Sequence, residues 1–486
     1  MKKIINNFTY LIAILFVAVS CDSFETDLEV RNLENPDDAI LTSDPIALEA
    51  VAGTLFQNWY MANSNYYGVG MAMNTMADAS SCSWGNAGMK DSSSEPRAAW
   101  NNTSSYGYNY VNFNPFNSMY SVLADSNNLA LAIANGTEFP DNNQILAIAK
   151  FGQAITMGTL ALNYDGVWLS DETGPIGDGK SDHNAAMAFA IGKLDEAIAI
   201  ANGNSFAVPE TWMPGTGVTS SADLAKLMNS FGARMLAMNS RNGTEKSSTN
   251  WGKVLSYANA GVTEDFTISH DDVNWYDYFK TYLVYPGWAR IDLRVINLMD
   301  PSYPDYWPAG ETSLPPATSA DARLESDFQY LSSNNFRPNR GSYHFSSYRY
   351  ARWNTYISEW VYPTVEFAVA ENDMYKAEAM LQTGDVAGAA AIINAGTRVT
   401  RGGLAPIGAT AAEVAAAIHY ERMVEFPLHS SGLSFYEMRK EDMLQAGTLL
   451  HWPIPGKALE AIPADYYTYG GSEGVAGQDV SSGGWR

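Results

Sequence analysis

Between Met374 and Ile393 the chain writes one pattern twice, and that pattern restricts the fold more than any other stretch. Met374, Ala377 and Leu381 fall at i, i+3 and i+7, the spacing of a single helix face. Gly384 stops that helix, and Asp385 is placed to cap the next. Val386, Ala389, Ala390 and Ile393 then repeat the spacing. Two short amphipathic helices joined by Gly-Asp, with alanine at close-contact positions, are similar to a tetratricopeptide hairpin. Each hairpin has one apolar face and needs neighbours to cover it. The expected fold is therefore mostly α, built from degenerate hairpins, since no clean register of about 34 residues runs through the chain.

Other segments carry the same period. Ile46 to Trp59, Gln144 to Tyr164, Asp182 to Ala201, Ala222 to Asn239 and Asn250 to Ala260 read as helices, with Asp182 a cap. Helix resumes at Glu366 and runs in pieces to about Gln445. Two regions break the rule. Residues 61–120 are irregular and rich in Ser, Asn, Gly and aromatics, and residues 265–365 are dominated by Tyr, Trp, Pro and Arg. Aperiodic inserts of that length inside a helical domain are usually functional.

The N-terminus reads as targeting, not fold. Lys2 and Lys3 precede a short apolar run, Phe8 to Val19, and then Ser20 and Cys21. That run is shorter than the roughly 20 residues a spanning helix needs. It suits a signal peptide over residues 1–20, with cleavage before Cys21 and lipid on that cysteine. Residues 21–45 are acidic and aperiodic, a tether, and 46–486 form one domain. No other apolar run approaches membrane length, so the expected attachment is a lipid anchor at the surface. Cys82 is the one other cysteine of the mature chain, and no disulfide is expected.

The formal net charge is −24, which argues against nucleic acid as a partner. A surface of that kind, with 13 Trp and 28 Tyr, suits a neutral polar ligand with flat apolar faces, and pyranose rings fit this description. The aromatic inserts carry the positive signal. Candidate ligand-binding residues are Asp78, Trp84, Arg97, Trp100 and Asn101 in the first insert. Those in the second are Trp275, Tyr278, Tyr306, Trp307, Arg349 and Trp353. Rings take the C–H faces of a sugar, and amides, carboxylates and guanidinium forks take its hydroxyls. The arginine run at Arg337, Arg340, Arg349 and Arg352 also permits an acidic sugar.

Catalytic patterns are weak. Gly174 to Ser181 formally fits the phosphate loop G-x-x-x-x-G-K-S, but Ser170, Asp171 and Glu172 stand where a strand is needed, so a glycine-rich turn before the next helix is expected. Glu421 and Glu425 lie at i, i+4 and suggest a glycosidase pair. They read better as a structural network compensated by Arg422 and Arg439. The six histidines have no metal-ligand spacing. No cofactor, metal or catalytic residue is expected.

Five landmarks resemble one family in order and spacing. Arg398-Val-Thr-Arg401-Gly-Gly-Leu404 resembles its N-x-x-R-x-R-x-G-L segment. Glu421-Arg422-Met-Val-Glu425-Phe426 followed by Gly432-Leu-Ser-Phe435-Tyr-Glu-Met-Arg439 resembles its E-R-x-x-E-L and G-x-R-F-x-D-L-R block. Trp452-Pro453-Ile454-Pro455 resembles its closing W-P-I-P. The segments around Asn229 to Arg234 and Leu162 to Gly166 resemble central landmarks. The chain resembles the SusD/RagB proteins in these segments, with two departures: His429-Ser430-Ser431 before Gly432, and Ser434 and Glu437 within the block.

The resemblance implies an outer-membrane, cell-surface lipoprotein of Bacteroidota. It implies capture of oligosaccharide, or of peptide in some branches, for import through a TonB-dependent SusC-like transporter, with no catalysis. A secreted helical glycoside hydrolase or lyase is the competing class, with Asp272, Asp277 and Asp292 as loose carboxylate candidates.

Overall fold

The computed structural model describes residues 44–82, 86–332, 345–471 and 480–484. The signal peptide, Cys21 and most of the acidic tether lie outside the described residues, as do Trp84, Arg337 and Arg340.

The principal helices are α1 (Pro45–Ser64), α2 (Gly70–Met76), α3 (Tyr110–Ala134), α4 (Asn142–Asn163), α5 (His183–Gly203) and α6 (Ser221–Met238). Beyond them lie α7 (Trp251–Asn259), α8 (Tyr278–Val284), α9 (Val369–Gln382), α10 (Val386–Ala395), α11 (Ala411–Val424) and α12 (Leu433–Lys440). Their starts follow from capping chemistry. Asp44, Asp141, Asp182, Ser220, Asn250, Asp277, Asp385 and Thr410 each accept a backbone N–H of the first turn. The hairpin read at 374–393 is α9 and α10, broken at Gly384 (φ +95°) and capped by Asp385.

Neighbours in sequence are neighbours in space. α1 packs on α3, α3 on α4, α4 on α5, α5 on α6, α6 on α7, and α7 on α9; α9 then meets α10 and α11. The centre of this stack is α4, buried along nearly all its length. By length and composition α4 could cross a membrane, contrary to the expectation that no later run approached that length, but 94% of its apolar window is covered by other parts of the protein. It is a core helix. Where α4 crosses α6, a side chain at Gly158 would collide with the Met235 sulfur, so glycine permits the close approach.

Among the described residues, eight strands form four two-stranded antiparallel sheets. β1 (Ser80–Ser81) pairs with β5 (Arg290–Ile291), β2 (Gly166–Asp171) with β3 (Gly174–Asp182), β4 (Phe266–Ile268) with β8 (Thr364–Phe367), and β6 (Phe328–Tyr330) with β7 (Tyr348–Tyr350). The β1–β5 pair joins the two aromatic inserts, and the second insert packs both on α1 and on α11. Gly174 to Ser181 is an exposed strand of the β2–β3 hairpin and not the expected turn; the cap belongs to Asp182, whose carboxylate accepts the Ala185 N–H at 2.8 Å. The first insert is also shorter than expected. From Tyr110 it is helical, with Pro115 in an early turn of α3. Asn112, Asn114, Asn117 and Ser118 are poor helix formers, and packing on α1 and α4 overrides their preference.

The Glu421 and Glu425 pair is buried in a network of arginines. Arg323 donates to Glu421 at 2.8 Å and to Glu425 at 3.0 Å, and it also holds Asp321. Arg352 and Arg401 complete Glu425. The expected partners do other work. Arg422 binds Glu378 and Glu437, and Arg439 donates to the carbonyls of Leu162, Met238, Ser240 and Leu450. With every oxygen engaged, these carboxylates are structural.

Candidate functional site

The aromatic residues of the two inserts divide into a buried set and a half-open set. The buried set holds most of the rings picked out from the sequence. Trp275 packs on Phe56 and Tyr60 in the core. Trp307 stacks near Phe345, and its indole N–H donates to the Glu311 carbonyl. Trp353 lies against His429 and donates to the Leu428 carbonyl at 3.1 Å. None of the three is more than 6% exposed, which leaves no ring face for a sugar. Arg349 is likewise buried, donating to the Val284 carbonyl and to Gln329. Asp78 is bound by Arg97 at 2.9 Å and by the Gln445 amide at both oxygens. These side chains serve as support beneath the surface. Tyr306 is exposed.

The half-open set is a run of tyrosines. Trp288 meets Tyr282 at 4.8 Å, Tyr282 stacks on Tyr66 at 5.4 Å, and Tyr66 lies 3.8 Å from Tyr67. Tyr67 meets Tyr110 at 5.3 Å, Tyr110 meets Tyr108, and Tyr108 meets Tyr106. Tyr278 joins from the side, 6.0 Å from Tyr66 and 4.3 Å from Tyr276. Each of these rings is at least partly exposed. Edge-to-face and offset contacts of this kind add about 0.5–1.5 kcal/mol per pair, so the rings hold one another in place. Burial and neighbouring phenols push the Tyr110, Tyr276 and Tyr282 hydroxyls above the ordinary tyrosine range. At neutral pH they are uncharged and can donate.

Three segments deliver the run. The turn after α1 carries Tyr66 and Tyr67, and the stretch entering α3 carries Tyr106, Tyr108 and Tyr110. α8 carries Tyr278 and Tyr282. α8 is held from below: Asp277 caps it, and the buried Lys280 ammonium donates to Asp277 at 2.6 Å and to the His429 carbonyl.

Two concavities flank the run. Beside Tyr67, a groove of about 370 Å³ lies between α1 and α3, lined by Asn58, Asn65, Asn114, Asn117, Ser118 and Asp125 among others. Burial raises the Asp125 carboxyl above its ordinary range. At the other end a cleft of about 340 Å³ brings together Arg97, Trp100, Asn101 and Tyr106. Trp100 is a nearly buried wall there, set edge-on between Tyr106 and Trp452, and Asn101 is exposed. The structure thus places Tyr278 on the half-open run and gathers Arg97, Trp100 and Asn101 at its margin. Reasoning from sequence overlooked Tyr66, Tyr67, Tyr108, Tyr110 and Tyr282. The alternation of tyrosines at 106, 108 and 110 was the available signal.

No family model and no curated protein matches the sequence, but solved structures match the fold. Surface glycan-binding protein A from Bacteroides thetaiotaomicron superposes with a TM-score of 0.60 at 12% identity, over 88% of this chain and 99% of that one. A SusD superfamily protein from Parabacteroides distasonis gives 0.59 at 12% identity, over 86% and 97%. A protein crystallised with a xylogluco-oligosaccharide gives 0.51 at 14% identity, over 81% and 83%. The architecture is a helical stack with aromatic inserts packed on it. The chain has the SusD-like fold.

Proposed function

We propose that the chain is a cell-surface glycan-binding lipoprotein, without catalysis, that captures oligosaccharide on the tyrosine run and its flanking groove. The observation that carries this reading is the half-open run itself. Its mutually supported phenol rings offer apolar faces, with hydroxyls and amides at their edges, which is the pattern a pyranose presents in reverse. Two neighbours in fold support it by name, a surface glycan-binding protein and a protein crystallised with a xylogluco-oligosaccharide. In this reading the mature chain begins at Cys21, lipid-anchored in the outer membrane, with residues 21–45 a tether and 46–486 one domain. Its partner is a SusC-like TonB-dependent transporter, to which it passes the glycan for import.

Among the first-chosen residues, Tyr278 contacts ligand, while Arg97, Trp100 and Asn101 border it. The test is electrophoresis of the protein through gels containing single polysaccharides, with product analysis of each. Retardation without released sugar is expected, and it is lost in Tyr66→Ala/Tyr282→Ala. Released sugar or a failure of every glycan to retard the protein overturns the reading.

A further inference from the structure

We infer that Asp125 anchors a sugar subsite in the groove between α1 and α3, accepting hydroxyl hydrogens from a neutral glycan and turning acidic glycans away. This deepens the glycan-binding reading and rests on it. The lining is unusual in its balance. Asn58, Asn65, Asn114, Asn117 and Ser118 each donate and accept, as sugar hydroxyls do. Asp125 alone is acceptor-only, and the lining contains neither lysine nor arginine. Among the described residues no ion pair reaches Asp125, and burial already disfavours its charge.

A carboxylate in that position needs hydrogen-bond donors from what fills the groove. Adjacent hydroxyls on one pyranose supply two, and hydrogen bonds to a charged acceptor are the stronger kind. A uronate or sulfate instead brings a second anion to a site with no cation to offset it, and like charges set together oppose binding. The arginines that kept an acidic ligand open in the sequence are engaged elsewhere where described: Arg349 with Val284 and Gln329, Arg352 with Glu425. The groove also leads onto the exposed face of Tyr67. A chain leaving Asp125 along the groove therefore reaches Tyr67, the start of its contact with the tyrosine run.

The test uses one gel panel with neutral xyloglucan, glucomannan, arabinoxylan and starch beside acidic polygalacturonate, alginate and chondroitin sulfate. It is run with the native protein, Asp125→Asn and Tyr66→Ala, and thermal melting checks that each variant is folded. Retardation by neutral glycans alone is expected, weakened about tenfold or more in Asp125→Asn. Acidic glycans retarding the protein as strongly as neutral ones overturn the inference and leave glycan binding standing. So does an Asp125→Asn variant that binds as the native protein does while Tyr66→Ala fails. Retardation by nothing overturns both.

Discussion

The arginine network around Glu421 and the tyrosine run around Tyr66 are both dense in polar atoms, yet they are finished to different degrees. In the network, Arg323, Arg352 and Arg401 meet every available carboxylate oxygen, and the carboxylates are sealed from water. In the run, the rings contact one another in stacked, tilted and edge-to-face pairs and stay partly exposed. A group whose bonding is complete inside the fold has nothing left to offer a ligand. The contrast also separates rings within the inserts: Trp275, Trp307 and Trp353 are completed by the core, whereas the rings of the run are not.

The strongest way to break this comparison is to leave the network uncompensated. Arg323→Met strips Asp321, Glu421 and Glu425 of their shared cation, and we expect a loss of about 3–5 kcal/mol in denaturant unfolding. Trp275→Ala tests the buried rings. It is expected to cost about 3–5 kcal/mol of stability through the cavity it leaves. The same variant in folded form keeps its glycan affinity; a folded Trp275→Ala that no longer binds means that the ring touches ligand after all.

For the half-open rings the expectation reverses. Tyr66→Ala/Tyr282→Ala weakens glycan binding by about 2 kcal/mol, roughly 30-fold, by calorimetric titration, with a smaller change in unfolding free energy. Equal losses in both measurements erase the distinction. The smallest effect concerns His429, buried between Trp353 and Phe426. Burial first, and then Arg352, Lys280 and other cations, hold its imidazole well below the usual range. The unfolded chain therefore takes that proton first. His429 leaves stability unchanged above about pH 6.5 and erodes it below, by at most about 1.4 kcal/mol per pH unit. His429→Phe is expected to flatten the acid limb of a stability–pH curve, though His183, His270 and His451, also lowered, keep some of its slope.

How much of this was legible in the sequence depended on whether a feature was local. The α9–α10 hairpin was, because its apolar spacing, Gly384 and Asp385 lie within twenty residues of each other. Asp182 as a cap was legible for the same reason. α3 was not, because its Asn and Ser residues resist helix and only α1 and α4 compel it. Nor was the fate of any one ring. Trp275 and Tyr278 are three residues apart, yet Trp275, before α8, packs on Tyr60 and is buried, while Tyr278, the first residue of α8, is half-open. The partners of Glu421 and Glu425 were hidden similarly, since Arg323 lies 98 residues before Glu421.

The clamp between Asp78, Arg97 and the tail has a consequence in time. Asp78 is bound by Gln445, 367 residues later, Arg97 by Thr448, and Asn102 by the carbonyls of Ile454 and Tyr467. The walls of the groove, α1 and α3, emerge early in synthesis and meet early. The stretch from Arg97 to Tyr106 is tied locally to Met76, Asp78 and Asp91 but gains its contacts to residues 445–467 only when these arrive, and closing so wide a span is entropically the late event. A C-terminally clipped chain is therefore expected to lose the Trp100 cleft, which Thr448 and Leu449 help to line, before it loses the groove between α1 and α3. The two ends of the ligand face thus depend on different lengths of chain, the groove on residues 58–125 and the cleft on residues as late as Leu449.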